Sequence, residues 1–262
     1  MLPDQPQAKP LRRVQAIARA AAQQLRKTAA HPSRLLALFD ADRRRVVREE
    51  TLQRPWDTMA QARLSTRRFR TYAAYLRNQR SKPHGIVAAT DHDARFHAAL
   101  LDRLEHESGV RHGMSVLCLG ARWGTEVRAF RDLGCFAVGI DLKPGAGVEY
   151  VLQGDFQHLL FPDACVDVVF SNSLDHAFDI DVVLAEACRV LKPKGYLIVE
   201  AVRGSEEGHA PGAWEAFYWA TVSDLQALIE SRGFHLRARQ PISEPWAGEH
   251  LSFLKSPQPP PA

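Results

Sequence analysis

Residues 116–141, VLCLGARWGTEVRAFRDLGCFAVGID, constrain this chain more than any other stretch. They read as a buried strand, a turn holding Gly120 and Gly124, a helix, and a second buried strand that ends in Asp141. That order builds a nucleotide-type site from little more than backbone. The turn brings main-chain N–H groups at a helix start close to a ligand, and an acid at the tip of the next strand accepts from two ribose hydroxyls. Both glycines fall where the chain must turn sharply and approach whatever binds. VDVVFSN and YLIVEA repeat the near-continuous apolar pattern of VLCLG and FAVGID, as strands buried on both faces of a parallel sheet do. Amphipathic stretches at 126–133, 180–191 and 223–232 separate these runs. Strands alternating with helices predict a doubly wound α/β sheet with right-handed crossovers, and a ligand site outside the carboxyl ends of its strands.

The same stretch resembles motif I of the class I S-adenosylmethionine (AdoMet)-dependent methyltransferases, of the type 11-like kind, and the resemblance continues to about Lys255. VGIDL (138–142) is similar to the second strand with its ribose-binding acid. GDFQHLLFPDACVDVVFSNSLDHAFD (154–179) resembles the adenine loop, the fourth strand and its post-strand loop. LAEACRVLKPKGYLIVEA (184–201) resembles the following helix, turn and fifth strand, and SDLQALIESRGF (223–234) the helix before the final hairpin. The resemblance implies a mostly parallel seven-stranded Rossmann-like sheet over 91–256, preceded by a basic helical appendage over 1–90 and followed by a disordered Pro-rich tail over 257–262. It also implies methyl transfer from AdoMet to an acceptor.

The resemblance further assigns roles. Gly120 and Gly124 let the backbone pass the methionyl part of the cofactor, Asp141 with its neighbour Leu142 meets the ribose, and Gly154, Asp155 and Phe156 hold the adenine. Asn172 and Ser173 lie beside the methyl group or the methionyl carboxylate. Motif I departs from the family pattern: Cys118 replaces the usual acid in the strand, Arg122 the middle glycine, and Trp123 adds bulk. Arg122 is then a candidate for binding the cofactor carboxylate through charge-assisted hydrogen bonds, or else a solvated or structurally paired arginine. Methyl transfer from a sulfonium is an in-line displacement that needs alignment, and an oxygen or nitrogen nucleophile also needs a proton removed. The candidate bases are His176 and Asp175, in the loop after the fourth strand, and His209, in the insertion after the fifth. Residues 203–220, RGSEEGHAPGAWEAFYWA, suggest a lid or substrate wall carrying His209, Trp214 and Tyr218, against the alternative of a helix docked into the core. The last part predicts a hairpin around 236–240 and 249–255, with Pro241 and Pro245 in its connection.

Charge is uneven along the 262 residues. Up to Lys82 the chain has 19 Lys and Arg against 6 Asp and Glu, a net +13, while the remainder carries −9, leaving +4 overall. Leu11, Val14, Ala18, Ala21 and Leu25 mark an amphipathic helix; further helices are predicted over 35–50 and 60–80, the last carrying Phe69, Tyr72 and Leu76 on one side. Four readings of this segment stay open: a helical cap whose arginines pair with the acidic domain, a nucleic-acid or polyanion docking arm, an organellar targeting sequence, and a membrane-surface helix. No run of eighteen apolar residues and no secretory pattern are present, which suggests a cytoplasmic setting without a membrane span. Cys118, Cys135, Cys165 and Cys188 follow neither metal-ligand nor disulfide spacing. The expected function is methyl transfer to a small organic acceptor. The alternatives are an RNA or polyanion methyltransferase, and a non-catalytic AdoMet- or partner-binding protein.

Overall fold

The apolar runs form one sheet. In the computed structural model, which describes residues 45–59, 63–82, 92–107 and 109–257, the strands β3 (Ser115–Leu119), β4 (Phe136–Asp141), β5 (Val151–Gln153), β6 (Val166–Ser171), β7 (Leu191–Val202), β9 (Phe234–Ile242) and β10 (Gly248–Lys255) lie in the order β5-β4-β3-β6-β7-β10-β9. The five strands from β5 to β7 pair in parallel, and β10 runs antiparallel between β7 and β9. From β3 the chain first winds outward through β4 to β5. It then returns to place β6 on the other side of β3, so the winding direction reverses between β3 and β6.

Alternation along each strand divides the core in two. Val116 and Cys118 face one layer, with Phe96, Leu100 and Leu104 of α2 (His92–Glu105) and Val127 and Phe130 of α3 (Thr125–Asp132). Leu117 and Leu119 face the other, with α4 (Ile180–Val190) and α5 (Val222–Ser231). The helices start where the sequence supplies caps. The Asp179 carboxylate accepts from the N–H groups of Asp181 and Val182, and Thr221 and Asp224 cap each other reciprocally at α5. Cys118 and Cys135 are buried, Cys165 and Cys188 half-buried, and all four are free. Pro241 lies within β9 opposite Glu249 rather than in the hairpin connection. β9 is an edge strand, where a missing N–H is tolerated.

The segment before the sheet differs from its expectation. The helix predicted over 60–80 is instead a strand, β2 (Leu64–Arg67), followed by a shorter helix, α1 (Tyr72–Ser81). Thr71 is the reason for the boundary: its hydroxyl accepts from the N–H of Ala74 and caps α1 there. β2 pairs antiparallel with β1 (Trp56–Thr58) on one side and with β8 (Phe217–Trp219) on the other. β8 belongs to the stretch expected to be a lid or a helix. It is neither, because a strand turns Phe217 and Trp219 to one face and Tyr218 to the other, and pairing with β2 buries all three.

The chain divides into two units, residues 1–47 and 48–262, and both sheets and helices α1–α5 lie in the second. Within it, Arg63 pairs with Glu206 and Asp224, Arg68 pairs with Asp57, and Arg67 stacks on Trp56 with its guanidinium carbon 4.5 Å from the ring centre. These basic residues are spent on packing within the unit. The helix expected over 11–25, most of that over 35–50, and the tail over 258–262 lie outside the described residues. No helix among the described residues is long and apolar enough to cross a membrane.

Candidate active site

Where the winding reverses, the carboxyl ends of β3 and β6 lie side by side, and crevices of doubly wound sheets open at such points. Gly120 ends β3 with φ +74°, and a Cβ there would lie 2.7 Å from the Cβ of Ser173, so glycine is what lets the two strand ends meet. The cleft beside them holds about 520 Å³ of empty space. Asp141, at the tip of β4, sits in its wall. One carboxylate oxygen accepts from the N–H of Lys143 at 2.7 Å and the other from the N–H of Arg122 at 3.3 Å. The carboxylate is thus oriented by the two loops that flank it.

Leu142, Phe156, Ser173 and the Arg122 side chain also line the cleft. The Arg122 guanidinium donates to the carbonyl of Lys82 at 2.8 Å, and burial holds its pKa below the ordinary arginine value despite Asp141 nearby. Asn172 accepts from the Ser173 hydroxyl at 3.0 Å. Gly154 donates to the carbonyl of Asp141 at 2.9 Å and so joins its own loop to the tip of β4. Gly124 has another task than passing a ligand. It adopts φ +66° at the start of α3, and a Cβ would press on Val148 and Val151 at 3.0 and 3.1 Å. Asp155 is already engaged, since it accepts from the Tyr72 hydroxyl and, at 3.0 Å, from the N–H of Gln157.

The remaining wall comes from a place the sequence reading did not consider. Helix α1 contributes Tyr75 and Gln79, and Lys82 follows at its end. Tyr75 donates its hydroxyl to the carbonyl of His176 at 2.9 Å, and Tyr72, Tyr75 and Phe178 pack ring against ring. The helix is thereby held over the cleft. No motif marks these residues. Their only signal is an amphipathic stretch with aromatics on one side, which fits any docked helix.

His176 lies on the cleft wall in a short 3-10 turn, Leu174–His176, just beyond β6. Its Nδ1 is 2.9 Å from the carbonyl of Trp214, and Nε2 is 2.9 Å from the Lys82 ammonium. Burial, then the Lys82 charge, pushes its pKa down to about 4, so the ring is neutral at pH 7. Burial pushes Asp175 up to about 6. A carboxylate oxygen from each of Asp175 and Glu215 and a ring nitrogen of His176 lie within 4.8 Å of one another, and one Glu215 oxygen is buried without a hydrogen-bond partner.

The three expected substrate contacts separate. Trp214 reaches the site through its carbonyl, which accepts from His176 and from Gln79. Tyr218 is buried in β8 and lines a different hollow with Trp56 and Arg63, while His209 is exposed and stacks on the outer side of Tyr218. Neither lies in the wall of the cleft.

A seven-stranded sheet in this order, with an acid at the tip of β4 and a crevice between β3 and β6, is the architecture of class I methyltransferase domains. Comparison with known proteins agrees: a family model described as a methyltransferase domain matches residues 117–199. The sterol 24-C-methyltransferase of Eremothecium gossypii is 34% identical over 113 residues, which are 37% of this chain and 30% of that protein. The malonyl-[acyl-carrier protein] O-methyltransferase of Serratia marcescens is 27% identical over 112 residues, 39% of this chain and 44% of the relative. The chain thus spans less than half the length of these curated relatives. Among solved structures, the 1,6-didemethyltoxoflavin-N1-methyltransferase of Burkholderia thailandensis superposes with a TM-score of 0.55 at 17% identity, covering 76% of this chain and 98% of that one. That likeness speaks to the fold. Residues 117–199 thus match a methyltransferase domain, and the sheet around them has the fold of the class I, AdoMet-dependent methyltransferases. The cleft residues fit the cofactor, with an oriented carboxylate for ribose hydroxyls, an apolar edge at Phe156, and cationic side chains at Arg122 and Lys143 for a carboxylate.

Proposed function

We propose that the protein transfers a methyl group from AdoMet to a small organic acceptor, with His176 at the acceptor side of the cleft. Asp141 would hold the ribose, with Leu142 beside it, and Phe156 would cover the adenine. Arg122 is the candidate for the methionyl carboxylate, with Gly120 and Ser173 shaping the floor. When bound, AdoMet supplies a methyl group activated by a positively charged sulfur. The chain's part is to align the acceptor, keep water out and receive the acceptor's proton.

The observation that carries this reading is the state of His176. A carbonyl only accepts, so the contact with Trp214 places the ring proton on Nδ1 and leaves the Nε2 lone pair toward the Lys82 ammonium, which lines the cleft with it. A neutral, oriented imidazole in the wall of a cofactor cleft suits an acceptor with a hydroxyl or N–H group. The test is a screen of metabolite extracts with AdoMet carrying a labelled methyl group. The reading expects label in a small product with the full chain, and none with Asp141→Ala. Label that moves only into RNA would contradict the small-acceptor reading, and no transfer under any condition would contradict the enzyme.

A further inference from the structure

Among the described residues, Lys82 is the cation in direct contact with the lone pair of His176. Its ammonium lies 2.9 Å from Nε2, and it too lines the cleft. A lysine ammonium has only donors, so in this contact the proton on Nζ is shared toward Nε2. We propose that Lys82 and His176 form a single proton-binding unit, and that the base for methyl transfer is this pair and not His176 alone. The inference rests on the methyltransferase reading, and Lys82 acts in it as a positioning residue through His176.

The surroundings make the pair titrate as one. Asp175, from the turn after β6, and Glu215, ahead of β8, face it from the protein side. Arg122, from the loop after β3, and Asp141, at the tip of β4, face it from the cleft. The contact with Trp214 fixes Nδ1 as a donor, so Nε2 and Nζ are the two atoms that exchange a proton. Two positive charges 2.9 Å apart in a buried wall are mutually unfavourable. Burial holds Lys82 below the ordinary lysine value, and burial with the Lys82 charge takes His176 down to about 4. Nε2 and Nζ share one contact, so the apparent constants belong to the pair.

A substrate proton enters Nε2 only when the shared proton has left. In the step that follows, the acceptor heteroatom bonds to the methyl carbon as the carbon–sulfur bond breaks, and that bond's electron pair stays on sulfur. The proton of the heteroatom passes to Nε2, becomes the proton shared with Nζ, and later leaves to solvent. The pair therefore starts the cycle unprotonated and ends it with one proton.

An ammonium that merely anchored an anionic acceptor would behave differently, because arginine would replace it. The first test needs no acceptor: NMR titration of 13C-labelled histidine and lysine side chains in the full chain. The expected result is a neutral His176 down to pH of about 4 and a Lys82 that loses its proton below the ordinary lysine value. In Lys82→Met, His176 should bind its proton about tenfold more tightly or better, as removal of an adjacent like charge requires. The same spectra report whether each variant folds. An unchanged His176 titration in Lys82→Met, or an ordinary Lys82, overturns the proposal.

The second test uses whichever acceptor the labelled screen yields. Lys82→Met should move the acid limb of the kcat profile to lower pH. Lys82→Arg, with a permanent charge at Nε2, should lower kcat by roughly 100-fold or more. Wild-type kcat in Lys82→Arg with loss of activity in Lys82→Met overturns the proposal in favour of an anion anchor. If no variant and no wild-type protein transfers methyl at all, the methyltransferase reading fails, while the titration still decides whether the pair exists.

Discussion

Asp141 and Gly124 illustrate how far single residues in this chain can be read from sequence. Both were legible as special positions, an acid at a strand tip and a glycine before a helix, because the strand–turn–helix order leaves few alternatives. Only Asp141 turns toward the cleft. Gly124 is needed for the left-handed start of α3 and for the approach of Val148 and Val151. Gly124→Ala should therefore lower stability by about 1–2 kcal/mol, the cost of a Cβ in a left-handed backbone, measured by denaturant unfolding. Lys82 was not legible at all. A lysine at the end of a basic amphipathic helix is ordinary in sequence, and its chemistry comes from the docking of α1, which brings Nζ to Nε2 of His176. Tyr218 erred in the other direction: its aromatic neighbours suggested a substrate wall, yet β-pairing buries it away from the cleft.

Among the elements, α1 is the one whose role the structure changes most. It was expected as part of a separate appendage, and it packs instead over the cleft, where the Tyr72 hydroxyl engages Asp155, the expected adenine contact. Burial raises the Tyr72 pKa, so the phenol stays a donor across the working pH range. An adenine amine seeking Asp155 must displace that contact. Tyr72→Phe should therefore tighten AdoMet binding several-fold, about the net worth of one hydrogen bond, as read by calorimetry; weaker binding would show that Tyr72 helps hold the ligand. The small β1-β2-β8 sheet was invisible beforehand for a physical reason. Three strands of three or four residues, drawn from positions some 150 residues apart, are too short to show a period. The seven strands of the main sheet were legible because burial on two faces forces continuous apolar runs.

At the scale of the whole molecule, one buried charge network lies apart from the cleft and ties α2 to the sheet. His250, in the middle of β10, sits between Glu200 at 3.1 Å and Glu107 at 3.5 Å, and Arg103 of α2 pairs with Glu200 at 2.7 Å. Burial opposes charge on His250, but the two carboxylates outweigh it and raise its pKa above the ordinary value, near 6.5. A group bound more tightly to its proton in the folded state stabilises fully below the unfolded pKa and loses that contribution as pH rises through the folded one. His250→Leu should then cost about 3 kcal/mol at pH 6, with the deficit shrinking as pH rises above about 6.5, measured by thermal or denaturant unfolding of both proteins. A deficit independent of pH would show that packing, and not charge, is what His250 contributes. The central claim concerns the cofactor cleft at the tip of β4. Calorimetric titration of the full chain with S-adenosylhomocysteine, alongside Asp141→Ala, tests it most directly. Saturable one-to-one binding that the substitution weakens by roughly 10-fold or more, as loss of hydrogen bonds to a charged group predicts, agrees with the account. Binding that Asp141→Ala leaves unchanged, or no binding to the intact chain, contradicts it.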